Sequence, residues 1–269
     1  MERTTRVRGV GLAVRDPGEG RPFLWGHGLL CSMAQEDDAA LFDWSALAPD
    51  VRWIRYDARG HGRSQTTPVV ADYRWPSLGR DMLGLADALG FARCVLGGVS
   101  MGCATSLHAA VQAPERVDAL VLVGPPTAWD TRPRQSRIYR FSAGLVQYAG
   151  LLPFRLLSAL PQPGPANPAA SAMKDALARQ LAHADPEAVV SALRGAADSD
   201  LPDPDALRAI EAPALVLAWS GDPFHPLSTA KRLCGLLPKA ELHVASTPAE
   251  LESWPERVGS FLAGASGAG

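Results

Sequence analysis

Short apolar runs alternate with helical patterns along most of this chain, and this alternation limits the folds that the chain can adopt. From position 51 onward the runs are almost continuously apolar, as in parallel strands that are buried on both faces. The candidate strands are Val7–Val14, Pro22–Trp25, Val51–Tyr56, Cys94–Val99, Ala119–Val123, Ala214–Trp219 and Ala240–Ala245. The candidate helices are Asp37–Ala48, Trp75–Leu89, Met101–Gln112, Leu227–Leu237 and Pro255–Leu262. We therefore predict an α/β fold in which helices cover both faces of a mostly parallel sheet.

One stretch, from position 124 to 213, interrupts the alternation because it contains no strand pattern. It holds a proline-rich run, Leu160–Pro168, and helical patterns at Ser136–Leu151, Ala169–Ala184 and Pro186–Ala197. Ligands of open α/β sheets bind at the carboxyl ends of the strands, so an insertion of this length predicts a helical lid over that edge. The alternative is an elaboration that only packs on the core. The predicted domains are a core of residues 1–125 and 212–269 and a lid of residues 126–211.

Charge and composition exclude several classes of function. The chain has 26 Lys and Arg, 28 Asp and Glu and a net charge of −2, whereas binding to nucleic acid or acidic membranes needs a basic excess. It has no secretory signal pattern and no uncharged apolar run of about 18 residues that could span a membrane. The four scattered cysteines are typical of reduced thiols, so we expect a cytoplasmic protein. Without metal-ligand spacing or a cofactor motif, we expect a small-molecule partner, no cofactor and no metal, and we predict no oligomeric state.

A glycine–serine–glycine turn follows the candidate strand Cys94–Val99. Gly98, Ser100 and Gly102 form the pattern G-x-S-x-G between that strand and the next candidate helix. A tight strand-to-helix turn strains its central residue and needs glycines on both sides to avoid clashes. The turn directs the Ser100 hydroxyl over the sheet edge, beside a helix amino terminus that favours developing negative charge. Ser100 is therefore the candidate nucleophile, and a purely structural serine is the alternative.

In this context the chain resembles the α/β-hydrolase family over nearly its whole length. Two more segments, Trp25–Leu29 and Tyr56–Ser64, are similar to loops of that family and occur in the expected order before Ser100. The resemblance implies an eight-stranded, mostly parallel sheet with the lid inserted after strand 6. It also implies an oxyanion hole formed by the N–H groups of Leu29 and Met101. The histidine in each of the two loops is expected to pack structurally rather than act as a base.

The resemblance implies a catalytic triad ordered as serine, acid and histidine along the chain. The acid is expected after the strand Ala214–Trp219, where Asp222 fits the position and Asp130 is a weaker substitute. The histidine is expected in the loop that follows the last strand. That loop, Ser246–Glu256, contains no histidine. A serine hydroxyl is a weak nucleophile at neutral pH unless a base accepts its proton, so another group has to replace the missing imidazole.

His225 is the best replacement, because it lies three residues after Asp222. The segment Asp-Pro-Phe-His favours a four-residue turn that brings the carboxylate and the imidazole into mutual reach. His225 could instead line the pocket without acting as a base. His243 lies in mid-strand, and Glu250 or Glu252 would be weak bases for an alcohol, so these are lesser alternatives.

The residues together predict a hydrolase that acts on a small or medium, largely apolar carbonyl compound: an ester, lactone, thioester or activated C–C bond. Ser100 attacks, the Leu29 and Met101 amides bind the oxyanion, and Asp222 with His225 transfers the protons. One alternative is a non-hydrolytic enzyme on the same fold, such as a lyase, a cyclase or a rearrangement catalyst. Another is a ligand-binding protein with a degenerate site, since one fold hosts many functions.

Overall fold

Eight strands form one sheet in the computed structural model, which describes residues 2–39, 47, 50–160, 177–222 and 224–266. The strands are β1 Glu2–Val7, β2 Val10–Arg15, β3 Arg21–Gly26, β4 Val51–Tyr56, β5 Cys94–Val99, β6 Val117–Val123, β7 Ala214–Trp219 and β8 Ala240–Ala245. Their order across the sheet is β1-β2-β4-β3-β5-β6-β7-β8. The β1–β2 and β2–β4 pairs are antiparallel and all other pairs are parallel. The predicted eight-stranded, mostly parallel α/β sheet is confirmed.

Helices lie between the strands and at the end of the chain. They are α1 Met33–Ala39, α2 Trp75–Ala88, α3 Met101–Gln112, α4 Arg132–Ala149, α5 Leu151–Ala159, α6 Pro186–Ala197, α7 Pro204–Arg208, α8 Leu227–Leu236, α9 Pro248–Glu252 and α10 Trp254–Ser266. None of the helices within the described ranges is long and apolar enough to cross a membrane.

Both faces of the central strands are buried, because alternate residues of a strand point to opposite faces. On one face Leu96 of β5 and Leu120 of β6 pack in a cluster with side chains of α2 and α3. On the other face their neighbours Val95 and Val121 pack in a second cluster with Val258 and other residues of α10. The continuous apolar runs of the sequence therefore reflect strands covered on both sides.

The predicted first strand, Val7–Val14, is wrong because the run belongs to two antiparallel strands. Val7 of β1 pairs with Val10 of β2, and the turn between them is Arg8-Gly9. Both turn residues have positive φ, +44° and +87°. Two such residues form the tight turn whose twist matches an antiparallel hairpin.

The first predicted helix also has different bounds. The expected range was Asp37–Ala48, whereas α1 begins at Met33. The Asp57 carboxylate accepts a 2.7 Å hydrogen bond from the Met33 N–H and so supports the start of the helix. Most of the predicted range after Ala39 lies outside the described residues.

The chain between β6 and β7 carries α4 to α7 and a helical turn at residues 177–181, which we call the helical insertion. The predicted helix Pro186–Ala197 coincides with α6. Half of the predicted helix Ala169–Ala184 and most of the proline-rich run lie outside the described residues. Val146, Leu181 and Val189 of the insertion form an apolar cluster with Leu30, which follows β3. The insertion is therefore packed against the loop at the carboxyl end of β3.

Candidate active site

Ser100 occupies the turn between β5 and α3 in a conformation that side chains rarely adopt. Its φ is +54° and its ψ is −106°, and strain of this kind is concentrated at functional sites. The Ser100 N–H donates a 3.0 Å hydrogen bond to the Val123 carbonyl at the end of β6. The residue is half-buried, and its hydroxyl makes no hydrogen bond with any residue that the structure describes. The turn thus holds an unpartnered hydroxyl at the carboxyl edge of the sheet.

The two glycines of this turn are required by contact with β3. A Cβ atom on Gly98 or Gly102 would overlap the carbonyl oxygen of Gly26, the last residue of β3. The obstacle is backbone of a central strand rather than a movable side chain. Glycine at positions 98 and 102 therefore avoids a clash with the Gly26 carbonyl, and the serine turn packs directly against β3.

Gly102→Ala is expected to lower the free energy of unfolding by about 3 kcal/mol or more, because a methyl group there forces β3 and α3 apart. Gly144→Ala is the matched control: Gly144 is also helical, but a Cβ atom there meets no atom within 4 Å. The control is expected to raise stability by about 0.5–1 kcal/mol, the helix-propensity gain of alanine over glycine. Urea unfolding of both variants measures the difference, and equal stabilities would show that the contact with Gly26 is unimportant.

The loop after β3 forms a second tight turn beside Ser100. The Cys31 N–H donates to the Gly28 carbonyl at 3.1 Å, and Leu30 has a φ of +59°. A Cβ atom on Gly28 would lie 3.8 Å from the Ser100 Cβ and 3.3 Å from the Cys31 Sγ. The turn therefore lies directly beside the serine and leaves little room for a side chain at position 28.

His27 fixes the orientation of this turn. Its Nε2 accepts a 2.9 Å hydrogen bond from the Ala58 N–H, so the proton lies on Nδ1, which donates to the Gly28 carbonyl at 2.7 Å. Burial lowers the pKa of His27 to about 4, so the ring is neutral. The Gly28 carbonyl and the Leu29 N–H belong to one planar trans peptide and point in opposite directions. Holding the carbonyl therefore orients the Leu29 N–H.

The two predicted oxyanion donors have no hydrogen-bond acceptor in the described part of the chain. Among the described residues, nothing accepts a hydrogen bond from the N–H of Leu29 or from that of Met101 at the start of α3. Met101 adjoins Ser100 in the chain, and Leu29 follows Gly28, which lies beside Ser100. Two unpartnered backbone donors next to a serine hydroxyl can bind a negatively charged oxygen.

His61 lies beside His27, in the loop that follows β4. Its Nδ1 is 2.9 Å from the Arg59 carbonyl, and its ring centroid is 5.1 Å from that of His27. Burial and the neighbouring His27 lower the pKa of His61 to about 3. The geometry of both imidazoles supports the structural roles that we expected for them.

Asp222 and His225 are brought together after β7. The distance between Asp222 Oδ2 and His225 Nδ1 is 2.8 Å, and Asp222 Oδ1 accepts from the N–H groups of Phe224 at 2.8 Å and His225 at 3.2 Å. Burial by itself raises the pKa of Asp222, but the hydrogen bond from His225 and the backbone donors outweigh it and keep that pKa below its ordinary value. Pro223 of the predicted turn lies outside the described residues.

The ionised Asp222 determines which nitrogen of His225 is free. A carboxylate can only accept hydrogen bonds, so Nδ1 carries the hydrogen and Nε2 of the neutral ring keeps its lone pair. Nε2 makes no hydrogen bond with any described residue. This is the tautomer that a general base needs when an acid orients it.

The His225 ring reaches over the end of β6, the strand that lies between β5 and β7 in the sheet. The ring packs on Gly124, where a Cβ atom would be 3.4 Å from the ring Cγ, and Gly124 follows the Val123 that binds the Ser100 N–H. Neighbouring strands are about 4.8 Å apart, so β5 and β7 are separated by roughly 10 Å across β6. The fold-back of His225 over the end of β6 shortens that separation. The Ser100 hydroxyl and the His225 imidazole are not hydrogen-bonded in this conformation.

A helix cap occupies the loop in which the family places its histidine. Glu250 Oε2 accepts from the N–H groups of Ser246 at 2.6 Å and Thr247 at 3.0 Å, and the Thr247 hydroxyl accepts from the Glu250 N–H at 3.3 Å. These backbone donors lower the pKa of Glu250. Glu250 is therefore engaged in starting α9. The pattern T-x-x-E with a proline after the threonine is a helix-start signal that could have revealed this cap in the sequence.

Two of the other lesser alternatives, Asp130 and His243, have different partners. Asp130 is exposed and forms a 2.7 Å ion pair with Arg232. His243 pairs with Leu217 in the middle of β8 and lines a surface cleft with Arg257. No group of three metal-binding side chains occurs within the described part of the chain.

A largely buried carboxyl in α1 is a feature that the sequence analysis missed. Glu36 Oε1 accepts a 3.1 Å hydrogen bond from the Trp25 indole, and Glu36 Oε2 is 4.0 Å from Arg55 Nη1. Burial is the main cause that raises the pKa of Glu36 to about 7, although both of these partners act to lower it. The carboxyl is therefore only partly ionised at neutral pH.

Glu36→Gln is expected to stabilise the protein at pH 8. Between about pH 4.5 and 7 the folded state holds a proton on Glu36 that the unfolded chain releases, so the stability of the native protein falls as pH rises through this window. Glutamine keeps an oxygen for the Trp25 indole and does not titrate. We expect a gain on the order of 1–3 kcal/mol at pH 8 that disappears below pH 4.5. Chemical unfolding at both pH values measures it, and a gain independent of pH would contradict the assignment.

Comparison with known proteins gives three kinds of match. A family model of the alpha/beta hydrolase fold matches residues 42–250. The 3-oxoadipate enol-lactonase 2 of Acinetobacter baylyi is 30% identical over 199 residues, which are 71% of this chain and 69% of that protein. A 2-hydroxy-6-oxononadienedioate/2-hydroxy-6-oxononatrienedioate hydrolase of Paraburkholderia phymatum is 31% identical over 207 residues, which are 76% of this chain and 71% of that protein. A thermophilic esterase of Thermogutta terrifontis, solved with malate bound, has a TM-score of 0.78 at 25% identity and covers 98% of this chain and 97% of its own.

Proposed function

Because this chain belongs to the α/β-hydrolase family, we propose that it hydrolyses a small or medium, largely apolar carbonyl compound with Ser100 as the nucleophile. The observation that carries the proposal is the hydrogen-bonded pair of Asp222 and His225. The imidazole of His225 packs on Gly124, beside the strained serine turn. In this proposal one loop supplies both the acid and the base, which come from two separate loops in the family's usual triad. The free N–H groups of Leu29 and Met101 support an oxyanion site next to it.

The proposed reaction has two halves. Ser100 Oγ bonds to the substrate carbonyl carbon and gives its proton to His225 Nε2, while the oxyanion accepts hydrogen bonds from Leu29 and Met101. The bond to the leaving group then breaks, and that group takes the proton from His225. Water attacks the acyl-serine in the same way, with His225 accepting its proton, and the acid departs as Ser100 regains a hydrogen. Catalytic hydrogen bonds often tighten only when substrate binds, and here the serine hydroxyl must move into reach of Nε2.

The surroundings of Ser100 support an apolar substrate. Leu29 and Val99 are half-buried beside the serine, and Leu30 continues into the apolar cluster of the helical insertion. We propose that this insertion acts as the lid of the site, over the loop that follows β3. The names of the relatives, which include a lactonase, an esterase and a hydrolase of an oxo-acid, agree with a carbonyl substrate. Esters and lactones are therefore the first compounds to test.

Hydrolysis of p-nitrophenyl acetate, butyrate and decanoate, and of a γ-lactone by proton release, tests the proposal. We expect turnover of the short acyl esters and weaker turnover of the decanoate, because the site lies beneath the helical insertion. The matched control is the Ser100→Ala variant of the same preparation, which accounts for contaminating esterases. A folded protein that hydrolyses none of these compounds faster than this variant would overturn the hydrolase proposal.

A non-hydrolytic reaction is the second candidate, and one observation favours it. A helix cap replaces the histidine after β8, and the Ser100 hydroxyl has no hydrogen-bonded base among the described residues. An enzyme that only shuttles a proton and stabilises an enolate or oxyanion needs no acyl-serine. In that case Ser100→Ala would keep most of the activity on the true substrate, whereas the hydrolase would lose nearly all of it.

A further inference from the structure

One side chain of the helical insertion is hydrogen-bonded to the oxyanion turn. Gln180 Nε2 donates to the Leu30 carbonyl at 2.8 Å, and Gln180 Oε1 accepts from the Ser32 hydroxyl at 2.7 Å. Both partners lie in the loop after β3, about 150 positions away in the chain. The turn beside Ser100 is therefore joined to the insertion by a two-point contact.

The hydrogen-bond network leaves one orientation for the Gln180 amide. The Leu30 carbonyl can only accept, so the NH2 group has to face it and the amide oxygen faces Ser32. The Ser32 oxygen in turn accepts from the Gln35 N–H at 3.2 Å, which leaves its hydroxyl hydrogen for Gln180. A glutamate at position 180 could accept from Ser32 but could not donate to Leu30.

Leu30 is the part of the turn that needs external support. It has a φ of +59°, a conformation that non-glycine residues hold only when their surroundings impose it. Hydrogen bonds from His27 and Cys31 fix the Gly28 carbonyl at one end of the turn. The bond from Gln180 fixes the Leu30 carbonyl at the other end. The Leu29 N–H lies between these two fixed carbonyls.

We propose that Gln180 is a positioning residue for the oxyanion donor: it holds Leu30 in its strained conformation and so keeps the Leu29 N–H directed at the reacting carbonyl. The proposal rests on the function proposed above. Stabilisation of the oxyanion then depends on the helical insertion being packed against the loop after β3. It also explains why an uncharged amide, with one donor and one acceptor in use, stands at this position.

Gln180→Glu, Gln180→Ala and the control Arg179→Ala test the proposal. Arg179 precedes Gln180, and its Nε is 3.8 Å from Asp38 Oδ2 in α1. The control therefore removes a different contact between the insertion and the core and leaves the hydrogen bonds to the turn in place. On the ester that the wild-type protein hydrolyses fastest, both Gln180 variants should lose about 10- to 100-fold in kcat with KM within about 3-fold. Inhibition by an alkylboronic acid, which forms a tetrahedral adduct on the serine, should weaken by a similar factor. The control should stay within about 2-fold in all three quantities, since exposed ion pairs contribute little.

Amide hydrogen exchange separates this inference from the proposed function. The Cys31 N–H reports the closed turn, and in the Gln180 variants it should exchange at least about 10-fold faster than in Arg179→Ala, whether or not an ester is hydrolysed. A wild-type protein without esterase activity would overturn the proposed function while this exchange rate still tests the role of Gln180 in holding the turn. Unchanged Cys31 exchange, or equal losses of kcat in the Gln180 variants and the control, would overturn the inference.

Discussion

Ester hydrolysis by Ser100→Ala is expected to fall by at least about 10³-fold, because loss of a nucleophile that acts together with its base removes nearly all covalent catalysis. Alanine has the same backbone restrictions as serine, so the strained turn should persist. Its φ of +54° is held by the hydrogen bond to Val123 and by contact with β3. We therefore expect a melting temperature within a few degrees of the wild-type value.

The control for this variant is Ser260→Ala, at an exposed position on α10. It should retain full activity, which separates the role of Ser100 from a general effect of removing a hydroxyl. Product analysis on the same samples distinguishes the two candidate functions. If Ser100→Ala turned over substrate at a rate close to that of the wild-type protein, the covalent mechanism would be wrong and the non-hydrolytic one would gain support.

Asp222→Asn and His225→Ala are each expected to lower kcat/KM by about 10³- to 10⁴-fold at neutral pH. An amide at position 222 can donate to Nδ1, which places the ring hydrogen on Nε2 and removes the lone pair that accepts the serine proton. Loss of the imidazole removes the base altogether. The two variants should also resemble the double variant, because the acid and the histidine act as one unit.

Two other histidines provide matched controls for the base. His183 is exposed in the helical insertion and His243 lies in β8, and alanine at either position should leave kcat/KM within about 2-fold. Loss of activity in His243→Ala without loss in His225→Ala would move the base to β8.

The order of the elements could be predicted because each carries a local signal. The apolar runs, the helix pattern after Ser100 and the aspartate–proline start of α6 all depend on residues close together in the chain. The first hairpin is hard to predict because Val7–Val14 is interrupted only by Arg8 and two glycines, and an Arg-Gly pair is a weaker turn signal than Asn-Gly or Asp-Gly.

Only part of the candidate site could be predicted from local sequence patterns. The approach of Asp222 and His225 follows from a spacing of three residues, which is a local property of a turn. The packing of His225 on Gly124 and the bond from Gln180 to Leu30 join distant segments, and no periodic pattern reports such contacts. The cap at Thr247 and Glu250, in contrast, follows a local pattern, T-x-x-E, that can be found in the sequence.

The rate at which a fluorophosphonate modifies Ser100 tests the central claim most directly, because the reagent reacts only with a serine that a base activates beside an oxyanion site. Intact-mass spectrometry followed by peptide mapping gives both the rate and the modified residue. We predict a single adduct on Ser100 in the wild-type protein and a rate at least about 100-fold lower in His225→Ala. No adduct on Ser100, or equal rates in the two proteins, would contradict the account.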